Sequence, residues 1–423
     1  MKIISNMRKQ LRIQKHIEND KNVKAEKRKQ NSSKYSYDNV FTYGNFVKAA
    51  KKCLNGVYWK QSVQNYYFYS LTKTYRDYIS LQNRKLPIGT TSNTIQIYER
   101  GKSREITPIH IRDRVVQKVL CDNCLIPLIS KSLIYDNGAS MPNKGVGFSR
   151  DRLDHHLRQA INEYGSDFYI LRFDFKSYFD SIHHSICREV LTKHITDEEI
   201  VNITMEIIKQ PYRNRVRKIQ NKVRRAEEMR KLDNDEYIGI CLGSQVSQVM
   251  ALLIPNELDH YIKEKAHCKY YIRYMDDGII LAKTKKELQE LLRSLEKICD
   301  KLKLTFNKRK TTISKVKHGF TFLKVKYNVT EDCKIIKRLT HDGVVRMRRK
   351  LKKFRRKVDK GVMTIEHVNA SMQSWLGHSK IAMSHRTVAE MQKLYEQLFK
   401  KEMINNADEL LQTDRWAYYR WCY

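Results

Sequence analysis

The segment Tyr271–Leu281, YIRYMDDGIIL, constrains the fold more than any other, because it sets two adjacent aspartates between two apolar runs. Apolar runs on either side of an Asp-Gly pair are typical of a tight β-hairpin. On that interpretation Asp276 and Asp277 are turn residues, and Gly278 lets the strand turn back. The alternative is that the two carboxylates bind divalent metal. This segment alone leaves both interpretations open.

A third carboxylate, Asp174, ends the apolar run YILRF, where a buried strand would reach the rim of a sheet. If its strand neighbours the hairpin, three carboxylates converge, and like charges that close together are tolerated only with bound cations. Mg²⁺ prefers carboxylate oxygens, and two such ions about 3.5–4 Å apart can stabilise phosphoryl transfer. Because side chains alternate along extended backbone, we expect Asp276 to be the closer ligand of the adjacent pair.

The overall charge indicates the partner class. The 423 residues include 82 Lys and Arg against 46 Asp and Glu, a net charge of +36, which favours binding to nucleic acid. We find no apolar run of about 18 residues and no secretory signal, so we expect a cytoplasmic protein without a membrane partner. The nine cysteines suit a reducing compartment, and the lone pair Cys121 and Cys124 is expected to be structural rather than zinc-binding.

Hydrophobic periodicity predicts an α+β layer of small sheets backed by helices. TIQIYERGKSREITPI indicates a charged hairpin, with a helix beginning near Ile111, and Thr284 with Glu287 forms a capping box before an amphipathic helix. We expect the aromatic residues between Phe41 and Leu86 to pack as a helical core, with base stacking as the alternative. The basic insertion at about 202–237 is expected to be a solvent-facing helix or an extended loop.

Six segments, in this order, resemble the motifs of bacterial reverse transcriptases: RGKSREITPIHIRDRVVQKVL, LRFDFKSYFDSIHH, GICLGSQVSQ, YMDD, FNKRKT and GFTFLKV. The resemblance covers about Tyr98 to Tyr327. It implies a right-hand polymerase with fingers at 91–165, a palm at 166–328 and a helical thumb with a C-terminal extension at 329–423. A basic helical extension at 1–90 would precede the fingers.

The resemblance also implies residue roles. Asp174, Asp276 and Asp277 would bind two Mg²⁺ ions, with Mn²⁺ as an alternative, and Phe175 would add a backbone carbonyl. Lys102 and Arg104 would bind the incoming triphosphate. Phe179 would exclude a 2′-hydroxyl, with core packing as its structural alternative. The remaining candidates are Lys310, which would assist the leaving pyrophosphate or be a solvated lysine, and the nucleotide-contacting pair Leu242 and Gly243.

Two departures from the family pattern matter. Leu242 stands where a glutamine normally touches the nucleotide, which is most similar to the diversity-generating retroelement branch and suggests relaxed base selection. Lys324 replaces the glycine of the usual FLG, which puts the primer-grip geometry in doubt. The implied partners are an RNA template, a DNA primer and product, and dNTPs, with a cognate noncoding RNA or an accessory protein as further candidates.

The expected function is therefore RNA-directed DNA synthesis, in diversity generation or in antiphage defence. Two alternatives remain. One is a catalytically silent RNA-binding scaffold, which the intact aspartates argue against. The other is an RNA-directed RNA polymerase, which Phe179 argues against.

Overall fold

The structure, a computed structural model, describes residues 34–86, 94–99 and 101–413, and the side chains of Glu99, Lys102 and 401–413 are left out of the description. The predicted basic arm at the N-terminus and the aromatic C-terminal segment WAYYRWCY lie outside the described residues.

The helices of the N-terminal half are α1 (Tyr37–Val40), α2 (Tyr43–Leu54), α3 (Gln61–Phe68), α4 (Ser70–Gln82), α5 (Ile111–Leu120), α6 (Ile126–Ile129), α7 (Val146–Tyr164), α8 (Tyr178–Ser181), α9 (His184–His194) and α10 (Glu198–Arg217). They are followed by α11 (Lys222–Asp233), α12 (Gln245–Leu253), α13 (Asn256–His260), α14 (Lys285–Lys301), α15 (His341–Asp359), α16 (Ile365–Ser379) and α17 (His385–Thr413). Short π-helical turns cover Cys121–Leu125 and Tyr261–Lys265, and a 3₁₀ turn covers Val316–His318.

The strands are β1 (Ile95–Glu99), β2 (Lys102–Ile106), β3 (Tyr169–Asp174), β4 (Tyr271–Tyr274), β5 (Asp277–Ala282), β6 (Thr312–Lys315), β7 (Phe320–Phe322), β8 (Val325–Val329) and β9 (Ile335–Leu339). They form a two-stranded sheet β1-β2, a four-stranded sheet in the order β4-β5-β3-β6 and a three-stranded sheet β7-β8-β9. The α+β class is confirmed, as are the hairpin β1-β2 and the helix that begins at Ile111.

Contacts divide the chain into two compact units. The first contains the described residues up to Ser149 together with Leu171–Ile280 and Gln289–Thr312. Its core includes stacked rings beneath the end of β3, where Phe175 lies parallel to Phe306 with ring centroids 5.4 Å apart. Cys121 and Cys124 are buried free thiols in the π-helical turn, which agrees with the expected structural role.

The second unit contains Arg150–Ile170, Leu281–Leu288 and the described residues from Ile313 onward. The helices α15, α16 and α17 enclose their own apolar core, which includes Leu351, Val368 and Phe399. The Thr284 hydroxyl accepts a hydrogen bond from the Glu287 N–H, as the predicted capping box requires, and donates one to the Glu287 carboxylate. At the β7-β8 turn, Leu323 and Lys324 both adopt positive φ, so a tight turn forms although lysine replaces the usual glycine.

Two further expectations have clear outcomes. The basic insertion is helical rather than extended: α10 and α11 form a hairpin, in which Arg213 pairs with Asp233 at the end of α11 and Lys209 pairs with Asp235 just beyond it. The expectation of a buried aromatic core between Phe41 and Leu86 is wrong for much of that segment, because several rings are exposed. Residues such as Tyr66 do pack inward, but Trp59 and Phe68 face solvent.

Candidate active site

The hairpin β4-β5 turns one residue earlier than the sequence suggests. Tyr274 pairs with Asp277, so Met275 and Asp276 form the two-residue turn, and Met275 has the left-handed φ of 55°. Gly278 lies inside β5 opposite Arg273, so the expectation that Gly278 lets the chain turn is wrong. Its lack of a side chain serves packing instead, because a Cβ atom there would lie 2.1 Å from the ring of Phe173.

A buried arginine anchors this turn. The side chains of Arg273 and Asp259 are completely buried and paired, with Arg273 Nη2 2.6 Å from Asp259 Oδ2. The guanidinium also donates to the Met275 carbonyl at 2.8 Å and to the Leu252 carbonyl at 2.9 Å. Although burial alone would lower the pKa of Arg273, the Asp259 carboxylate raises it above its ordinary value, so the residue stays charged. The carbonyl that precedes Asp276 is therefore held by a fixed cation.

The sheet order brings Asp174 to the hairpin. Asp174 is the last residue of β3, which lies beside β5, and its carboxyl group shares a hydrogen bond with that of Asp277. The Asp174 side chain is almost completely buried. Carboxylates about a hundred positions apart in sequence thus meet where β3 ends and β5 begins, as the apolar runs led us to expect.

The electrostatics of these carboxylates reflect burial and mutual repulsion. Burial raises the pKa of Asp277 to about 7, and the neighbouring charges of Asp276 and Asp174 and the shared hydrogen bond act in the same direction. Burial and then the Asp174 charge also raise the pKa of Asp276. Such shifts mark groups that gain from a nearby cation, since a positive charge would restore the ionised forms.

Lys310 supplies one positive charge. Its Nζ lies 2.5 Å from Asp174 Oδ2, and the lysine side chain is about half exposed. A turn places it there, because the Asn307 N–H bonds the Asp174 carbonyl and the Lys310 N–H bonds the Asn307 carbonyl. Burial tends to lower the pKa of Lys310, but the hydrogen bond and charge of Asp174 outweigh it and raise the pKa.

The donor set suits a hard divalent cation, because adjacent carboxylates repel one another and their pKa values are raised. Within residues 34–86, 94–99 and 101–413, however, no group of three or more His, Cys, Asp or Glu side chains is arranged to hold a metal ion. The three aspartates are therefore neighbours that affect one another's pKa without forming a ready-made metal cluster.

The two expected triphosphate ligands lie on the hairpin β1-β2. Arg104 on β2 is near enough to the turn for its charge to lower the pKa of Asp276, opposing the larger effect of burial. Lys102 is the first residue of the same strand, but its side chain is outside the description. An ion pair of 2.5 Å between Glu105 and Arg215 joins the hairpin to α10.

Phe179, Leu242 and Gly243 lie around the loop before α12. Phe179 is half-buried, so it is not a simple core residue, and its carbonyl accepts a hydrogen bond from the Ile240 N–H at 2.8 Å. Leu242 lines an open cavity of about 240 Å³ whose wall also includes Glu105 and Asp180. Gly243 has φ of 106°, and a Cβ there would lie 3.5 Å from the Thr107 carbonyl.

Sequence reasoning missed three supporting residues: Gln117, Asp259 and Arg273. The buried Gln117 side chain accepts hydrogen bonds from the Ser244 hydroxyl and the Gln245 N–H at 3.1 Å, which fixes the start of α12. The sequence did indicate a special role for Arg273, because an arginine inside an apolar strand requires a buried partner. Nothing in the sequence identified Asp259 as that partner.

One family model matches more than half of the chain. The family model described as reverse transcriptase (RNA-dependent DNA polymerase) matches residues 92–327, more than half of the chain. Protein YkfC of Escherichia coli (strain K12) is 22% identical over 262 residues, which are 53% of this chain and 62% of YkfC. This chain therefore spans less than two thirds of that relative.

Solved structures of telomerases are similar at low identity. A telomerase from Candida albicans in complex with a fragment of telomeric RNA aligns over 83% of this chain and 62% of its own, with 11% identity and a TM-score of 0.44. An apo telomerase from Candida tropicalis aligns over 78% and 60%, with 13% identity and a TM-score of 0.40. None of the helices in the described part of the chain is long and apolar enough to cross a membrane.

Proposed function

Because the chain belongs to the reverse transcriptase (RNA-dependent DNA polymerase) family, we propose that it is an RNA-directed DNA polymerase that adds dNTPs to a primer. The observation that carries the proposal is the meeting of Asp174, Asp276 and Asp277 at one sheet edge, with the pKa of Asp277 raised to about 7 by burial and by its acidic neighbours. A structural role alone would not require three acids close enough to raise one another's pKa.

The reaction is phosphoryl transfer from a dNTP to the primer. Asp174, Asp276 and Asp277, with the Phe175 carbonyl, would hold two Mg²⁺ ions, or Mn²⁺ in their place. When bound, the ions favour ionisation of the primer 3′-hydroxyl and neutralise charge on the α-phosphate and the leaving pyrophosphate. The new bond joins the 3′-oxygen, whose proton passes to solvent, to the α-phosphorus, and the bond to the pyrophosphate oxygen breaks.

The other residues bind and position the nucleotide. Lys102 and Arg104 would hold the triphosphate, since arginine binds phosphate oxygens in a fork. Lys310, kept protonated by Asp174, would give its Nζ proton to the leaving pyrophosphate oxygen. Phe179, beside Leu242 and Gly243, would exclude a ribose 2′-hydroxyl and so select dNTPs.

The test is primer extension by the full chain on a primed RNA. We expect incorporation of dNTPs that depends on Mg²⁺ and that is lost in Asp276→Ala/Asp277→Ala. The exposed turn residue Asp332 provides a matched control, and Asp332→Ala should retain wild-type activity. Full activity of the double variant would refute the assignment. Phe179→Ala should incorporate rNTPs at least about tenfold better, and an unchanged dNTP preference would remove Phe179 from its role.

We further propose that the template is a dedicated noncoding or template-repeat RNA, and that the enzyme serves diversity generation or antiphage defence. The apolar Leu242 in the motif GxxxGxxxSQ supports the first role. In this scheme residues 91–165 act as fingers, 166–328 as palm and 329–423 as thumb. Sequencing the nucleic acid that co-purifies with the protein separates the roles: a template-repeat RNA supports diversity generation, and a self-encoded RNA or repetitive cDNA supports defence.

A further inference from the structure

Five large rings are exposed at the junction of α3 and α4 and in the turn before α3. We define this aromatic patch as Tyr58, Trp59, Tyr67, Phe68 and Tyr69. Trp59, Phe68 and Tyr69 are 76%, 77% and 65% exposed. Soluble proteins rarely leave several large rings together in water, so a surface of this kind indicates a binding site.

The rings are held in place from below and from the side. Tyr66 and Val63 on the opposite face of α3 are buried and fix the helix. Tyr58 meets Tyr67 edge to face with centroids 5.4 Å apart, and Tyr67 meets Phe68 at 6.1 Å. Three of the five rings are therefore in contact with one another, and Trp59 and Tyr69 are their direct neighbours in sequence.

Lysines stand among the rings. Lys60 Nζ lies 5.1 Å from the Trp59 ring centroid, and Lys73 Nζ lies 5.4 Å from that of Tyr69. From Asn39 to Arg76 the sequence contains no aspartate or glutamate, while Lys48, Lys51, Lys60 and Lys73 add positive charge. The local charge thus matches a polyanion with exposed apolar faces.

We propose that the aromatic patch binds single-stranded nucleic acid by stacking its bases on these rings, with Lys60 and Lys73 near its phosphates. Aromatic rings interleaved with cations are typical of surfaces that bind single strands without sequence preference. Protein interfaces share the aromatic residues but are depleted in lysine, so the lysines favour nucleic acid over a protein partner or a second copy. The patch lies upstream of the aspartates in sequence and needs no catalytic residue, so its binding does not depend on polymerase activity.

The first test is a cross-linking map. An unstructured oligonucleotide of about 12 residues that carries 4-thiouridine is irradiated with the full chain, and the cross-linked peptides are identified by mass spectrometry. We expect the oligonucleotide to cross-link to the segment from Tyr58 to Tyr69. Cross-links confined to other parts of the chain would overturn the proposal, whether or not the protein extends primers.

The second test measures affinity by fluorescence anisotropy with the same oligonucleotide. Trp59→Leu/Phe68→Leu keeps apolar area but removes two stacking faces, and should weaken binding about tenfold or more. Leu71→Ala, an aliphatic residue 64% exposed just after the patch, is the matched control and should change affinity less than about twofold. Lys73→Gln should lower the slope of log affinity against log salt concentration by the contribution of about one phosphate contact.

Unfolding temperatures should agree among these variants, because the substituted rings are exposed. Equal affinity of Trp59→Leu/Phe68→Leu and the wild type would refute stacking. Light scattering that shows a wild-type dimer dissociated by the same substitutions would also overturn the proposal, since the patch would then be an interface between two copies of the chain.

Discussion

Two variants of the Arg273–Asp259 pair together test whether this pair supports the stability of the fold, the position of Asp276, or both. Arg273→Ala leaves the Asp259 carboxylate completely buried, with the Tyr271 hydroxyl at 2.5 Å as its remaining side-chain donor. It also removes the donors to the Leu252 and Met275 carbonyls. We expect this variant to lose stability and to lose the fixed position of Asp276 together.

The magnitude follows from the complete burial of both side chains. Breaking a buried ion pair by removing one partner costs about 3–5 kcal/mol. That loss is a large part of the roughly 5–15 kcal/mol that stabilises a typical domain. For the unit that contains this pair, about 240 described residues, it should lower the unfolding temperature by roughly 10 °C. Urea denaturation and thermal unfolding measure the effect directly.

A compensated variant distinguishes the two roles. Arg273→Met/Asp259→Leu removes both charges, and such apolar replacement of a buried pair is often neutral or stabilising. We therefore expect the double variant to be more stable than Arg273→Ala but less stable than the wild type, because the buried Tyr271 hydroxyl and Leu252 carbonyl lose their partners. Mg²⁺ binding and dNTP incorporation should remain at least about tenfold weaker than in the wild type, because the Met275 carbonyl still lacks its donor. Two results would refute the reasoning: a loss below about 1 kcal/mol in Arg273→Ala, or full activity in the double variant.

Three further predictions concern the same sheet edge. Because the pKa of Asp277 is raised to about 7, Mg²⁺ binding should release about one proton near pH 6.5 and should weaken as the pH falls. The metal-free fold should lose stability as the pH rises from about 4 to 7, since the folded state holds a proton that the unfolded state has lost. Calorimetry in two buffers measures the proton release, which Asp277→Asn should abolish. Gly278→Ala should lower the free energy of unfolding by about 1–3 kcal/mol, measured by urea denaturation, because its Cβ would overlap the ring of Phe173. Gly147→Ala is the control, since Gly147 has open space around it. Equal effects of the two substitutions would contradict the packing explanation. Leu242→Gln should lower misincorporation in sequenced products, and an equal error rate would reject a role in base selection.

The sequence predicted the meeting of the aspartates because the ends of neighbouring buried strands share a sheet edge. It mistook the role of Gly278, since the reason for that glycine is the ring of Phe173 on another strand, more than a hundred residues away. Local pattern carries no information about such a contact. The residues that serve the metal and nucleotide in the proposed function remain predictions for experiment.

The aromatic segment shows a different limit. Tyr66, Tyr67, Phe68 and Tyr69 are consecutive at the end of α3, and neighbouring residues on a helix point about 100° apart. All four rings therefore cannot enter one core, and only Tyr66 is buried. Composition made a core plausible, but helix geometry already required that some of these rings face another way.

The ion pair between Lys310 and Asp174 means that the most buried of the three carboxylates at the candidate site already has a counter-ion. A divalent ion that binds Asp174 must displace the ammonium group or share the carboxylate with it. The Mg²⁺ affinity of the proposed site would then be that of an exchange between two cations, lower than the intrinsic affinity of the carboxylates. Shortening the lysine should tighten metal binding even where it slows the chemistry, so affinity and turnover at this site would vary in opposite directions.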